Sequence, residues 1–265
     1  MRHIGAIAGR ELRSYFVSPV AYAVLSLWAV IAGFFFVALI SFYAQAQSYP
    51  DPQVQAQMNL HAQIVAPLLQ TMWVVLLLLV PALTMGVFAG EKTNGTLELY
   101  LTSPITIWEF VLGKYLATAT MVTLLVAVLT AYLALLFYYG NPGPELAQTG
   151  VALGGFWLVG LSYAAVGACF SAITRSQVIA FVLTFVVLLV LWMLGAVAPD
   201  AAAAASGSTP ALAAGLQLVA WLSSAEHFEQ MVGGLASTRG LAYFAFMIGA
   251  FLIITKTAIE SVRWR

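Results

Sequence analysis

The chain has 265 residues, 62% of them hydrophobic and only 8% charged, and its ten basic and ten acidic residues balance to zero net charge. That composition lies far outside the range of soluble domains, and the apolar segments use so much of the chain that no separate soluble domain fits beside them. The single cysteine, Cys169, excludes an internal disulfide framework and a multi-cysteine metal site, while His3, His61 and His227 are scattered over three segments and form no ligand cluster.

Residues 1–18 read as an interfacial helix. Ile4, Ile7, Ala8, Leu12 and Tyr15 fall on one side of a helical wheel, and Arg2, Arg10 and Arg13 gather on the other. A helix of this kind suits the surface of an anionic inner leaflet. Glu11 breaks the pattern, because it falls on the apolar side, and Ile7, Ala8, Ser14 and Tyr15 at the neighbouring helical positions offer no cation. It is expected to pair with something distant or with another subunit, or else to reach solvent. Ser18-Pro19 then ends the helix.

Crossing the hydrocarbon core takes about 20 apolar residues in a helix. Six segments qualify: 20–43, 65–88, 110–139, 150–172, 178–198 and 241–258. Ala44-Gln45-Ala46 after the first has the form of a leader cleavage site. The preceding apolar run of about 24 residues exceeds the usual 7 to 15 of a leader, so it is read as an uncleaved span. The fold class expected is therefore all-α: a polytopic membrane protein of six transmembrane helices.

Between the spans, the loop 45–63 is polar and carries Pro50 and Pro52, so it is expected to begin irregularly. Pro67 and Pro81 bracket the second span and invite a kink that neighbouring helices can accommodate. Gly86-x-x-x-Gly90 and Gly150-x-x-x-Gly154 are small-residue pairs suited to close helix approach. The loop 89–107 holds a polar island, GEKTNGTLELYLTSP, carrying Glu91, Lys92 and Glu98 with Glu109 just beyond. A short helix bracketed there by Gly95 and Pro104 suits docking against a soluble partner; the plainer alternative is a solvated connecting loop. In the stretch 199–239 the first half, DAAAAASGSTPALAAG, is low in complexity and expected to be mobile. Leu216, Val219, Ala220, Leu222 and Phe228 in the second half have helical spacing. They predict one or two short helices at the outer membrane surface, ending at Gly233-Gly234.

Charge sets the expected orientation. With the N-terminus inside, Arg2, Arg10, Arg13, Lys92, Lys114, Arg175, Lys256, Arg263 and Arg265 fall on the cytoplasmic side and only Arg239 outside. Such a basic asymmetry predicts two cytoplasmic termini. The central thirds of the spans hold no Asp, Glu or Arg, which argues against a carrier driven by protons through its own residues. Lys114 and Lys256 lie near span ends, where long side chains are expected to reach the interface. Gly90-x-x-x-x-Gly95 is followed by Thr96-Leu97 instead of the Lys-Ser/Thr of a phosphate-binding loop. With no hydrolase triad or metalloprotease signature, the chain is not read as an enzyme, and no cofactor or metal is expected. Energy for directed work must come from another subunit.

Four stretches carry a resemblance along nearly the whole chain: ELRSYFVSPVAYAVLSLW, GEKTNGTLELYLTSPITIWEFVLGKYLA, ACFSAITRSQ and AEHFEQMVGG. They resemble the permeases of ABC-2 type transporters, where E-K/R-x-x-G-T-L-E followed shortly by S-P recurs as the coupling helix. The S-P-x-x-Y and H-F elements look closest to permeases of the gliding-motility type and of nitrous-oxide-reductase maturation. The resemblance implies a type V exporter-like architecture of two six-span halves with two ABC ATP-binding subunits below. The second half would be a copy or a paralogue. By position, Thr96, Leu97, Glu98, Leu99 and Leu101 would form the coupling helix with Glu91 at its approach, and the N-terminal helix bearing Glu11 would be the connecting helix. The stretch 199–239 would correspond to outer re-entrant helices. The whole chain, 1–265, would be one transmembrane domain of a bacterial inner membrane, with lipids but no nucleic acid among its other partners. Phe35, Thr123, Tyr132 and Ser162 are expected along the path. Two other classes stand beside this reading: a membrane anchor or assembly factor that docks a soluble complex without transport, and a membrane-embedded enzyme.

Overall fold

In a computed structural model the described residues are 2–48, 59–97, 105–140, 143–205, 214–215, 217 and 221–263. They form α1 (Arg2–Val17), α2 (Pro19–Gln47), a wide π-helical turn (His61–Val65), α3 (Ala66–Thr84), α4 (Ala89–Thr93), α5 (Ile107–Tyr139), α6 (Leu146–Ile173), α7 (Gln177–Ala205), α8 (Ser224–Val232) and α9 (Thr238–Arg263). The chain is an all-α bundle in which six helices are long and apolar enough to cross a membrane. They are α2, the π turn through α4, α5, α6, α7 and α9, matching the six predicted spans in order.

The fourth span, α6, is the hub, packing against α3, α5, α7, α8 and α9. Its sequence explains why: Gly155, Gly160, Ala164, Ala165, Gly167 and Ala168 are all buried, and small residues let neighbouring backbones come close. About 78% of its core window is buried, against 17% for the first span and 22% for the fifth, so those two turn most of their surface outward. Exposed Val30, Phe34, Val37, Val178, Val182 and Val186 form that outward surface, as a lipid-immersed helix requires.

The second span is not one continuous helix. It opens as the π turn, whose wide geometry ends next to Pro67, a residue with no N–H to offer an α-helical ladder. Pro81 then lies within α3, and the helix breaks a turn later, over 85–88. The kink expected from the two prolines is thus resolved into a wide turn at one end and a break at the other.

Three expectations need correction. Gly150 and Gly154 have no atom within 4 Å of a would-be Cβ, so among the described residues no helix uses that pair. The helix α7 runs through Pro199 to Ala205, so the alanine-rich part of the outer stretch begins as helix, in keeping with the propensity of alanine; 206–213 lie outside the described residues. Finally, α8 does not lie on the outer surface. It buries Ser224, Ala225, His227, Phe228, Met231 and Val232 among the spans. Phe228 packs on Trp73 at 4.7 Å and near Phe156 at 6.1 Å between ring centroids. Ser224 Oγ donates to Leu191 O at 3.3 Å and meets the Tyr163 hydroxyl, which accepts from Trp73 Nε1 at 2.9 Å. Those buried polar groups would be costly unpaired, so the serines at the start of α8 draw it inward. Its end falls as expected, at Gly233-Gly234, where Gly234 takes φ +86°.

Candidate coupling site at one end of the bundle

At the end of the bundle where α1, α4 and the start of α5 meet, the charges expected to be solvated turn inward. Helix α1 lies along α5 and α2. Its approach to α5 depends on Gly113: a Cβ there would sit 2.7 Å from Ile7 Cβ and 3.2 Å from the Ile4 carbonyl. Tyr15 donates its hydroxyl to Leu83 O at 3.2 Å, joining α1 to the end of α3. Burial, with the Glu11 carboxylate adding to it, pushes the Tyr15 phenol above its ordinary range, so it stays a protonated donor.

The closeness of α1 and α5 brings Glu11 to Lys114. The Lys114 ammonium is 3.0 Å from Glu11 Oε1 and 2.9 Å from Glu91 Oε1, and it donates to Val87 O at 2.8 Å. Three donors meet three acceptors. The Phe88 and Phe110 rings flank the ammonium at 5.6 and 5.5 Å, within cation–π range. Arg10 reaches the same oxygens, at 3.1 Å from Glu11 and 3.8 Å from Glu91. Among the described residues two acids and two bases thus meet in one cluster joining α1, α4 and α5.

This corrects two expectations. Glu11 does have a neighbouring cation, Arg10, at the adjacent position instead of the three- or four-residue spacing. Its distant partner is Lys114, 103 residues away in the same chain. Lys114 does not reach the interface, since its side chain is only 2% exposed. A buried cation needs paired charge and hydrogen bonds to be tolerated, and the two carboxylates and the Val87 carbonyl supply both. Among the described residues Glu91 Oε2 is buried without a hydrogen-bond partner, so the cluster is not fully satisfied.

The polar island is partly described. Helix α4 ends at Asn94, Gly95 adopts φ +68°, and Thr96 N–H donates to Glu91 O at 3.0 Å. This is the Schellman bond of a glycine-terminated helix. Thr96 therefore closes α4. Leu97 is 3% exposed and packs in the core, so its side chain is not offered outward. Glu98, Leu99 and Leu101 lie outside the described residues. Of the seven residues expected at this site, Glu11 and Glu91 meet on one ammonium, Thr96 closes the turn beside them, Leu97 is buried as the next helical residue, and three are not placed.

Glu109 has a local task. Thr106 Oγ1 accepts from Glu109 N–H at 3.2 Å and Glu109 Oε2 accepts from Thr106 N–H at 3.3 Å, a capping box that starts α5. The spacing Thr-x-x-Glu was present in the sequence and could have revealed it.

Three of the four residues expected to line a path have hydrogen-bond partners within the bundle. Ser162 is buried and donates to Val159 O, and Tyr132 donates to Ala29 O. Thr123 lines a groove of about 440 Å³ with Val126, Ala127, Thr130, Leu153, Gly154 and Trp157. Its hydroxyl donates to Ala119 O and accepts from Trp157 Nε1, which leaves the groove apolar in character.

A family model described as ABC-2 family transporter protein matches residues 6–262. No curated protein matches the chain.

Proposed function

The chain belongs to the ABC-2 transporter family, and on that premise we propose that it is one permease half of an ABC exporter in a bacterial inner membrane. A separate ABC ATP-binding subunit supplies the energy, and a second half, identical or paralogous, completes the path. The whole chain acts as one transmembrane domain, with both termini and the α1–α4 end in the cytoplasm.

The observation that carries this reading is the buried Lys114 cluster. A rigid amphipathic helix and a short helix at the end of the second span share one cation on the third span. When the ATP-binding subunits close, a push on α1 or α4 must either move α5 with them or break the cluster. Breaking such a buried charge pair costs about 3–5 kcal/mol, so displacement is the easier outcome. Glu98, Leu99 and Leu101 are proposed to carry the contact with the ATP-binding subunit, beyond the turn that Thr96 closes. Glu91 and Glu11 transmit the push from inside it.

The test is co-purification with the ATP-binding subunit, followed by ATPase measurement in lipid nanodiscs. A permease half should stimulate hydrolysis and change conformation with nucleotide. A membrane anchor would bind its partner with no such change, and that outcome would replace this reading.

A further inference from the structure

The break in the second span leaves backbone groups that no helix ladder satisfies, and one side chain takes three of them. Ser171 Oγ donates to Met85 O at 2.9 Å and accepts from Phe88 N–H and Ala89 N–H, each at 3.0 Å. One donor and two lone pairs are the whole capacity of a hydroxyl. Ser171 is fully buried on α6, so water does not stand in for it.

The attachment continues on both sides of the break. Above it, Gly167 lets Thr84 press directly on the α6 backbone, because a Cβ at 167 would overlap the Thr84 hydroxyl. Below it, the Lys92 ammonium donates to the Ala172 carbonyl at the end of α6, and Thr93 Oγ1 donates to Arg175 O at 2.7 Å. The Gly86-x-x-x-Gly90 pair makes room on the same side for the Gln177 amide from the start of α7, 3.0 Å from where a Gly90 Cβ would lie. From Thr84 to Thr93 the second span is thus fastened to the fourth span and to the entry of the fifth. Its own helix is interrupted between Thr84 and Ala89.

We propose that Ser171 is a positioning residue for coupling: it clamps α4 to the fourth span, so that motion delivered to α4 passes into the fourth and fifth spans instead of up the second. This rests on the coupling reading above and extends it. The break is the point at which α3 and α4 part company, and Ser171 decides which neighbour α4 follows. Together with Lys114, which holds Val87 O inside the same break from the third span, it divides one input between the third span on one side and the fourth and fifth on the other.

The test uses the permease co-purified with its ATP-binding subunit, carrying spin labels at two pairs of exposed positions, Asn94 with Ile173 and Asn94 with Leu78. Distances are read without nucleotide and with Mg-ATP plus vanadate. In the wild type the Asn94–Ile173 distance should stay narrow and unchanged, while Asn94–Leu78 shifts. Ser171→Ala should broaden the Asn94–Ile173 distribution even without nucleotide and abolish the nucleotide-dependent shift. Ser171→Thr, which keeps the hydroxyl, should behave as wild type. If Ser171→Ala does not insert, Ser171→Cys, which nearly keeps the side-chain shape but offers only a weak donor and acceptor, should give the same broadening. A nucleotide-dependent change in Asn94–Ile173 with Asn94–Leu78 constant would overturn the clamp and leave the coupling reading standing. So would a narrow distribution in Ser171→Ala. No response to nucleotide in either pair would overturn both.

Discussion

Replacing Lys114 by methionine isolates what the buried cluster contributes. The substitution keeps an unbranched apolar stem between Phe88 and Phe110 but removes the ammonium. Glu11 and Glu91 then remain, only 19% and 15% exposed, with the Val87 carbonyl also unpaired. Removing one partner of a buried ion pair costs about 3–5 kcal/mol. Arg10 remains 3.1 and 3.8 Å from the two carboxylates, and the carboxylates can admit some water, which places the expected loss near the lower end, about 3 kcal/mol. At about 2–4 °C per kcal/mol for a domain of 150–250 residues, Tm in detergent should fall by about 6–12 °C.

A second variant separates stability from coupling. Glu11→Leu, Glu91→Leu and Lys114→Met together remove the three charges that meet at the Lys114 ammonium. Replacing a buried ion group by apolar residues is often neutral or stabilising, so the triple variant should regain most of the lost Tm. It should not regain stimulated ATPase activity, because α1 and α4 no longer share a partner on α5. A Tm loss below about 2 °C in Lys114→Met would refute the account of the cluster. Full ATPase stimulation in the triple variant would reduce the cluster to a packing element.

Three further outcomes are expected. Cysteines at Gln55 and Ser206 should react with an impermeant thiol reagent in intact cells while one at Asn94 should not; labelling of Asn94 from outside would invert the orientation. Glu98→Ala with Leu101→Ala should insert normally yet lose the ATP-binding subunit or its stimulation, and unchanged assembly and activity would remove both residues from the docking surface. Gly113→Val should push Ile7 away and lengthen the reach from Glu11 to Lys114; protease access to α1 should rise, and protection equal to wild type would show that α1 does not depend on that contact.

How much of this was legible in the sequence depended on the kind of interaction involved. The six spans could be read because apolar length is a local property, and the Gly-terminated end of α8 could be read because positive φ singles out glycine; Gly95, expected to open a short helix, instead closes α4. The cluster could not be paired by the same means, since Glu11 and Lys114 are 103 residues apart and each has an ordinary explanation alone, a solvated carboxylate and a lysine reaching the interface. The usable signal was the combination: a carboxylate on the apolar side of one helix and a lone cation two turns into a span, each costly where it stood unless the other was there. The helix α8 was misplaced for a related reason. Its amphipathic pattern matches a surface helix, and only the partners of Ser224, Tyr163 and Leu191 carbonyl among them, show which of its faces is turned into the bundle. Ser171 gave no signal at all, because a serine near the end of an apolar helix is common and its value here comes from a break in a different span. What local pattern leaves out of this chain is the side-chain traffic between spans, and that traffic is where the coupling reading is built.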